Sequence, residues 1–339
     1  MVEQKVNGQR TSKHEFPKSG RKNEFVLGAD IGGTNLRLAL ADTAGTIRAR
    51  WSASTVGILS AARVVDLIRE GTDVLLQQTS TPRDALRAAA AGAPGITDVD
   101  RGIVIATSYL MGWRDIPLRT LLETALGIPV SIDNDVNLAA LGEHHAGSAR
   151  GIDNFVFIAI GTGVGAGIIV NGELMRGTTW TAGEIGYMLV PGASETPTER
   201  GQPGALETIV GGEGIRTQWQ ERWTEYSTVL PQKVSATEIF DGALKGDILA
   251  CEILQRAART LAYAIYNLSL TLNCPLFVLG GSVGLHPAFG EATRTFLQAR
   301  NTRIQPNLVR STLGSEAQLA GAISLAIQTA TALGPVTQR

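Results

Sequence analysis

Cysteine is scarce: only Cys251 and Cys274 occur in 339 residues, which excludes a disulfide framework and leaves no cysteine metal-ligand spacing. Buried, reduced thiols in a cytoplasmic protein are the expectation. The four histidines, His14, His144, His145 and His286, include no HExxH pattern and none beside a cysteine, so a histidine-built metal centre has no support here. Net charge is nearly absent, −1 at pH 7, and nothing global draws the chain to nucleic acid or an anionic membrane. Basic residues gather only in residues 1–24, as Lys5, Arg10, Lys13, Lys18, Arg21 and Lys22 against Glu3, Glu15 and Glu24. Without an apolar core, that stretch reads as a disordered leader rather than a signal peptide. The stretch nearest to a membrane span, Phe155 to Val170, is studded with glycines and falls short of the roughly 20 residues required. No GxxxxGK[ST] run is present, which excludes a P-loop.

What remains is a chain with 44% hydrophobic and 18% charged residues, a composition that builds soluble globular cores; its length suggests two domains. From Phe25 to Leu40, apolar residues lead to Asp30, then to Gly32-Gly33-Thr34-Asn35, and resume as Leu36, Leu38 and Leu40. This pattern reads as two antiparallel strands joined by a tight turn. The tip admits two readings: an ordinary glycine-rich hairpin, or an anion-binding concavity of backbone N–H groups. The plan returns at Phe155, where a Gly161-Thr162-Gly163 tip again separates two apolar runs before an Asn171-Gly172 turn. An internal repeat of this kind implies two similar domains, each lending one glycine tip to a cleft that grips a polyphosphate from both sides. Gly161, Gly163 and Ala166 come near a dinucleotide fingerprint, but that motif needs a helix directly afterwards, and Ile168-Ile169-Val170 follows instead.

Between the tips, a strand over Pro129 to Ile132 delivers Asp133-Asn134-Asp135-Val136-Asn137. Asp133 or Asn134 can cap the helix expected from Val136 to about His145. Two acids and two amides exceed what one cap needs, and the helix dipole is expected to keep an Asp here at low pKa, ionised and ready to accept a proton. Glu184 and Glu207, each flanked by small residues, can accept hydrogen bonds from vicinal hydroxyls. Other expected elements are a strand over Thr46 to Ser54, a helix over Ser60 to Gln78, and a buried strand within Thr81 to Ala91. A short strand at Ile103 to Ile105, a loop over Trp113 to Pro117 and a helix over Leu118 to Leu126 come next. Gly211 to Gly214 reads as a loop, residues 251 to 273 as an amphipathic helix, and Leu276 to Leu279 as a core strand ending at Gly280-Gly281. Ser315 with Gln318 reads as a capping box before a last helix ending near Ala330.

Taken in order, eight markers resemble the ROK family, within the sugar-kinase branch of the actin, hexokinase and Hsp70 superfamily. They are Asp30-x-Gly32-Gly33-Thr34-Asn35, Gly92-Ala93-Pro94-Gly95, Trp113-Arg114-Asp115-x-Pro117-Leu118, Asn134-Asp135-x-Asn137, Gly161-Thr162-Gly163-x-Gly165, Gly183-Glu184-x-Gly186, Leu206-Glu207 and Gly280-Gly281. The resemblance runs from Phe25 to Ala330. It implies an α/β fold of two related domains of ribonuclease-H-like, actin-like type, each a mixed sheet with flanking helices. Residues 25–134 would form a small N-terminal domain completed by a helix at about 315–332, and 135–314 a large C-terminal one. The implied activity is ATP-dependent phosphorylation of a hexose, glucose to glucose 6-phosphate first, with another hexose or an amino sugar as the alternative.

Asp135 would be the general base, while Asn134, Asp135, Glu184 and Glu207 hold the sugar. Gly32, Gly33, Thr34, Asn35, Gly161, Thr162 and Gly163 would bind ATP phosphates, Gly280 and Gly281 would lie beside the adenosine, and Asp30 would face Mg²⁺ through water. Many members bind zinc through a His after Gly-Glu-x-Gly and three cysteines. Here Tyr187 stands at the His position and Thr198, Arg200 and Ala205 at the cysteine positions, which implies no zinc and leaves Tyr187 as the sugar contact in place of His. Repressor members carry an N-terminal helix-turn-helix, which residues 1–24 are too few and too polar to build, so an enzyme with no nucleic-acid partner is the expectation. Relatives commonly form homo-oligomers, dimers or tetramers.

Overall fold

Seven residues of β1 (Phe25–Ile31) and eight of β2 (Asn35–Asp42) pair antiparallel from Phe25↔Asp42 to Ile31↔Leu36, because their apolar residues have a sheet face to bury on each side. In the computed structural model, residues 24–107, 112–193, 202–300 and 305–334 are described; all but the last residue of the leader expected over 1–24, and Thr198 and Arg200, lie outside them. Beyond the first hairpin come β3 (Ile47–Ser54), α1 (Ala61–Gln78), β4 (Leu86–Ala93), β5 (Ile96–Asp98), β6 (Ile103–Ala106), β7 (Arg114–Ile116), α2 (Leu118–Leu126), β8 (Val130–Asn134) and α3 (Asp135–Ala146). The second half contains β9 (Phe155–Ile160), β10 (Val164–Val170), β11 (Glu173–Leu174), α4 (Glu207–Val210), α5 (Gly212–Arg222), α6 (Ala236–Leu244), α7 (Ile248–Leu272), β12 (Leu276–Gly280), α8 (Gly281–Gly284), α9 (Pro287–Gln298), β13 (Asn307–Arg310) and α10 (Ala317–Ala332).

Two five-stranded sheets carry the repeat: β3-β2-β1-β4-β8 and β11-β10-β9-β12-β13. In the first, β1–β2 and β2–β3 are antiparallel while β1–β4 and β4–β8 are parallel. In the second, β9–β10 and β10–β11 are antiparallel while β9–β12 and β12–β13 are parallel. The two sheets therefore share one topology. One face of the first sheet packs on α1 and α2 through Leu38, Leu40, Val64, Ile68, Leu75 and Leu122; Val26, Ala88 and Ala90 on its other face meet Leu319, Ile323 and Ile327 of α10. The second sheet buries one face under α5, α6, α7 and α9 and the other under α3, whose Leu138 to Leu141 also meet Ala317 and Ala322 of α10.

The α3–α10 crossing is close enough to require glycine on both sides. A Cβ at Gly321 would stand 1.7 Å from the Leu138 carbonyl oxygen, and one at Gly142 would stand 2.2 Å from that of Ala317. The pair thus locks the start of α3 against both sheets, and α3 starts where the acidic cluster stands. Among the described residues, no helix is long and apolar enough to cross a membrane.

Several sequence expectations are corrected. Trp113 to Pro117 is not all loop: Val104↔Ile116 and Ala106↔Arg114 pair β6 with β7, a tertiary backbone pairing that so short and polar a segment does not signal. Ser315 and Gln318 form no capping box. Glu316 holds the cap position of α10 without a side-chain cap bond, while the Ser315 carbonyl accepts from Arg37 Nη1 at 2.5 Å. Gly211 to Gly214 is the start of α5 rather than a loop, since the N–H groups of Gly212 and Glu213 bond Gly161 O at 2.8 Å and Thr162 O at 3.1 Å. Glycine at 212 serves close approach there, because a Cβ would lie 2.6 Å from Gly161 O. Both cysteines are free, but only Cys274 is buried; Cys251 is half-buried.

Candidate active site

Three parallel strands end side by side, with Asp30 of β1 opposite Gly92 of β4, and Gly92 opposite Asp133 of β8. Ligands of α/β folds collect at such carboxyl ends. Because position 92 has no side chain, the start of α3 comes in close: a Cβ there would stand 3.6 Å from Asp135 Cα and 2.7 Å from Leu138 Cδ1.

Asn134 is the N-cap of α3, its Oδ1 accepting from Val136 N at 2.8 Å and Asn137 N at 3.2 Å. Its Nδ2 donates to Gly95 O at 2.9 Å, so one amide hydrogen is left for a ligand. Asp133 is buried, and its Oδ1 accepts from Asn134 N at 2.8 Å and Asn137 Nδ2 at 2.9 Å. Capping and ligand presentation, alternatives in the sequence, are thus divided between neighbours.

Asp135 departs from expectation in its charge. The helix dipole was expected to hold it at low pKa; instead its carboxyl is raised to about 7. Burial is the first cause, followed by the negative charge of Asp30, with a smaller push from Glu184. The N–H of Val136, bonded to Oδ1 at 3.0 Å, opposes them without winning. A carboxylate near 7 suits a general base at neutral pH, where a useful fraction is ionised and the ionised form remains basic.

Asp30 is also raised, first by burial, against which the Arg37 guanidinium acts. Arg37 Nε and Nη2 donate to Asp30 Oδ2 at 2.9 and 2.6 Å. This ion pair was not foreseen: on an alternating strand, Arg37 reads as one more outward residue.

Across from this group, Gly183 adopts φ +93°, and a Cβ there would collide with Ala166 O at 1.9 Å; its carbonyl accepts from Ala166 N at 2.8 Å. That fixed backbone presents Glu184 at the head of a short turn, Ile185–Tyr187. Glu207 opens α4, and its Oε2 accepts from Val164 N at 2.7 Å, tying it to the strand after the second glycine tip. Burial raises Glu184, with Glu207's charge next, and burial raises Glu207 against the Val164 N–H. Tyr187 is 48% exposed, and its phenol is raised by burial, then by Glu184 and Glu207. Asp30, Asp135, Glu184 with Tyr187, and Glu207, from four separate parts of the sequence, therefore form one electrostatically linked row.

The two tips close alike but over different spans. Gly32 N donates to Asn35 O at 2.9 Å and Gly161 N to Gly163 O at 3.1 Å, so the first glycine of each tip closes its own turn. In the first tip Gly33, Thr34 and Asn35 are exposed, and Thr55 braces it from below, through Thr55 Oγ1 to Gly32 O at 2.7 Å. In the second, Gly280 and Gly281 pack directly beside the tip: a Cβ at Gly281, φ +77°, would stand 2.4 Å from Ile160 O. Gly161 differs, with nothing within 4 Å of where a Cβ would be. Arg176 and Gly212 are further site residues missed in the sequence, whereas Asp133 stood in the acidic cluster already singled out there. Neither Arg176 nor Gly212 carries a periodic or motif signal, and each acts through a partner distant along the chain, Asp133 and Gly161.

A family model described as ROK family matches residues 26–329. A glucokinase of Halalkalibacterium halodurans is 34% identical over 268 residues, covering 77% of this chain and 81% of that protein. An N-acetylmannosamine kinase of Citrobacter koseri is 31% identical over 303 residues, covering 89% and 98%. Among solved structures, a ROK family glucokinase from Streptomyces griseus, in complex with glucose and AMPPNP, superposes with a TM-score of 0.74 at 26% identity, covering 90% of this chain and 99% of that one.

Proposed function

This chain belongs to the ROK family and is a sugar kinase, and from that premise we propose that it transfers the γ-phosphoryl group of ATP to a hexose, giving glucose 6-phosphate from glucose. The observation that carries the reading is Asp135, at the start of α3, raised to about 7 by burial and by the charges of Asp30 and Glu184. Its ionised carboxylate takes the proton of the attacking hydroxyl, so the oxygen becomes nucleophilic as the phosphoryl group arrives. Asn134, through its second amide hydrogen, and Glu184, Glu207 and Tyr187 hold the neighbouring hydroxyls. Two carboxylates and a phenol give the sugar a bidentate polar face.

Gly33, Thr34, Thr162 and Gly163 cradle phosphate oxygens, because the N–H groups of Gly32 and Gly161 already close their turns. Gly280 and Gly281, beside the second tip, flank the adenosine. Magnesium that arrives with ATP keeps several waters and asks for only one or two protein carboxylates. Asp30 fits that demand through water, since one of its oxygens is occupied by Arg37; the ion neutralises phosphate charge. Zinc has no place in this scheme, Tyr187 and Ala205 standing where ligands would be needed. The reading extends to a cytoplasmic homo-oligomer whose two jaws, residues 25–134 with α10 and residues 135–314, close on the substrates.

The second substrate class is an N-acetylated amino sugar, favoured by the Citrobacter koseri relative. ADP release measured over a panel of hexoses and amino sugars separates the two, with glucose expected to give the highest kcat/KM. No turnover with any of these sugars would refute the assignment.

A further inference from the structure

Arg176 follows the edge strand β11, on the second sheet, and its side chain crosses to Asp133 at the end of β8 on the first. Nε and Nη2 reach Asp133 Oδ2 at 2.9 and 2.7 Å. The Arg176 side chain is 28% exposed and that of Asp133 1%. Asp133 is otherwise engaged across the junction of β8 and α3, its second oxygen accepting from Asn134 N and Asn137 Nδ2. The ion pair is therefore a direct polar tie between the strand end that carries Asn134 and Asp135 and the segment that leads to Glu184.

That segment is itself closed. Arg176 O accepts from Ala182 N at 3.2 Å, Thr181 O accepts from Glu184 N at 3.2 Å, and Gly183 O accepts from Ala166 N at 2.8 Å. Gly177 turns at φ +73°, bringing the place of its Cβ within 3.3 Å of Ala182 Cβ. These bonds couple the backbone position of Arg176 to that of Glu184.

We propose that Arg176 is a positioning residue for the sugar: by holding Asp133 it sets the separation between the base Asp135 and the hydroxyl-binding Glu184. The inference rests on the hexose-kinase reading. A paired charge of this kind is weak evidence for stability, because desolvating both partners offsets much of their attraction. Its geometric consequence is larger, since a misplacement of about 1 Å in a catalytic constellation can cost about 100-fold in rate.

The test uses the full chain and three variants: Arg176→Lys, which keeps the charge but loses the guanidinium's two-point contact; Arg176→Met; and Arg176→Met with Asp133→Asn. Glucose kcat/KM, KM for ATP, glucose Kd by calorimetry and thermal melting are measured for each. Arg176→Lys and the double variant are expected to lose about 100-fold in glucose kcat/KM and to bind glucose more weakly, with KM for ATP within about twofold of wild type. The double variant should recover the melting temperature that Arg176→Met loses without recovering glucose affinity. Recovery of both, or folded variants with wild-type glucose Kd and kcat/KM, would overturn the inference. If Arg176→Met fails to fold, Arg176→Lys and the double variant decide. Wild-type protein that neither binds nor phosphorylates any sugar would instead defeat the kinase reading, and the inference with it.

Discussion

Replacing Asp135 by Asn keeps the shape of the side chain and removes only its charge and basicity, and two effects of opposite sign should follow. Catalysis falls, because a positioned general base contributes about 100- to 10,000-fold, or about 3–5 kcal/mol of barrier. Folding becomes more favourable. Burial and the charges of Asp30 and Glu184 raise the carboxyl from 3.8 to about 7, and one unit corresponds to about 1.4 kcal/mol, which sets a ceiling of about 4 kcal/mol on the cost of ionising it in the folded chain. Asp135 keeps some contact with solvent, and screening reduces the figure to about 1–2 kcal/mol.

The sign follows from linkage. The folded pKa lies above the unfolded one, so the folded state binds more protons between about pH 4 and 7, and wild-type stability falls as pH rises through that window. Asp135→Asn lacks this loss. Its advantage should be absent below the unfolded pKa, reach roughly a third of its full value at pH 5, and level off above about pH 7. Urea unfolding at pH 5 and pH 8, with sugar binding and kcat at the same pH values, reads all three quantities. Wild-type kcat should fall as pH drops through about 7, while Asp135→Asn retains glucose binding. An unchanged kcat, or a stability difference equal at both pH values, would refute the reasoning.

Two glycine substitutions should separate packing from ligand roles. Gly321→Ala must push α10 from the Leu138 carbonyl, 1.7 Å from the new carbon, and should cost about 1–3 kcal/mol or more by denaturant unfolding; Gly161→Ala meets nothing within 4 Å, should stay within about 0.5 kcal/mol of wild type, and should raise KM for ATP. Tyr187→Phe removes one hydroxyl from the sugar side and should raise glucose KM about fivefold, matching about 1 kcal/mol for one hydrogen bond, with KM for ATP unchanged; an unchanged glucose KM would place the phenol outside the sugar site.

Much of this was legible in the sequence because it is written locally. The matching hairpins at Asp30 and Gly161 foretold two sheets of one topology, and the residues singled out as sugar ligands do converge in one row. What stayed hidden depends on partners far along the chain. Arg37 meets Asp30 across a strand pair and Ser315 near the C-terminus, and Arg176 meets Asp133 across the two sheets. The direction of the Asp135 shift was misread for the same reason. Local backbone N–H groups, that of Val136 first, lower it, but burial and a carboxylate on β1 outweigh that effect. Gly212 looked like a loop glycine until its role in approaching the second tip appeared.

The most direct test of the account is a phosphorus NMR spectrum of the protein incubated with glucose and Mg-ATP. The γ-phosphate signal should decline as a sugar monoester and ADP grow in equal amounts, and Asp135→Asn should show neither at the same protein concentration. ADP accumulating with free phosphate and no sugar ester, or wild-type ATP left intact with every hexose and amino sugar, would contradict it.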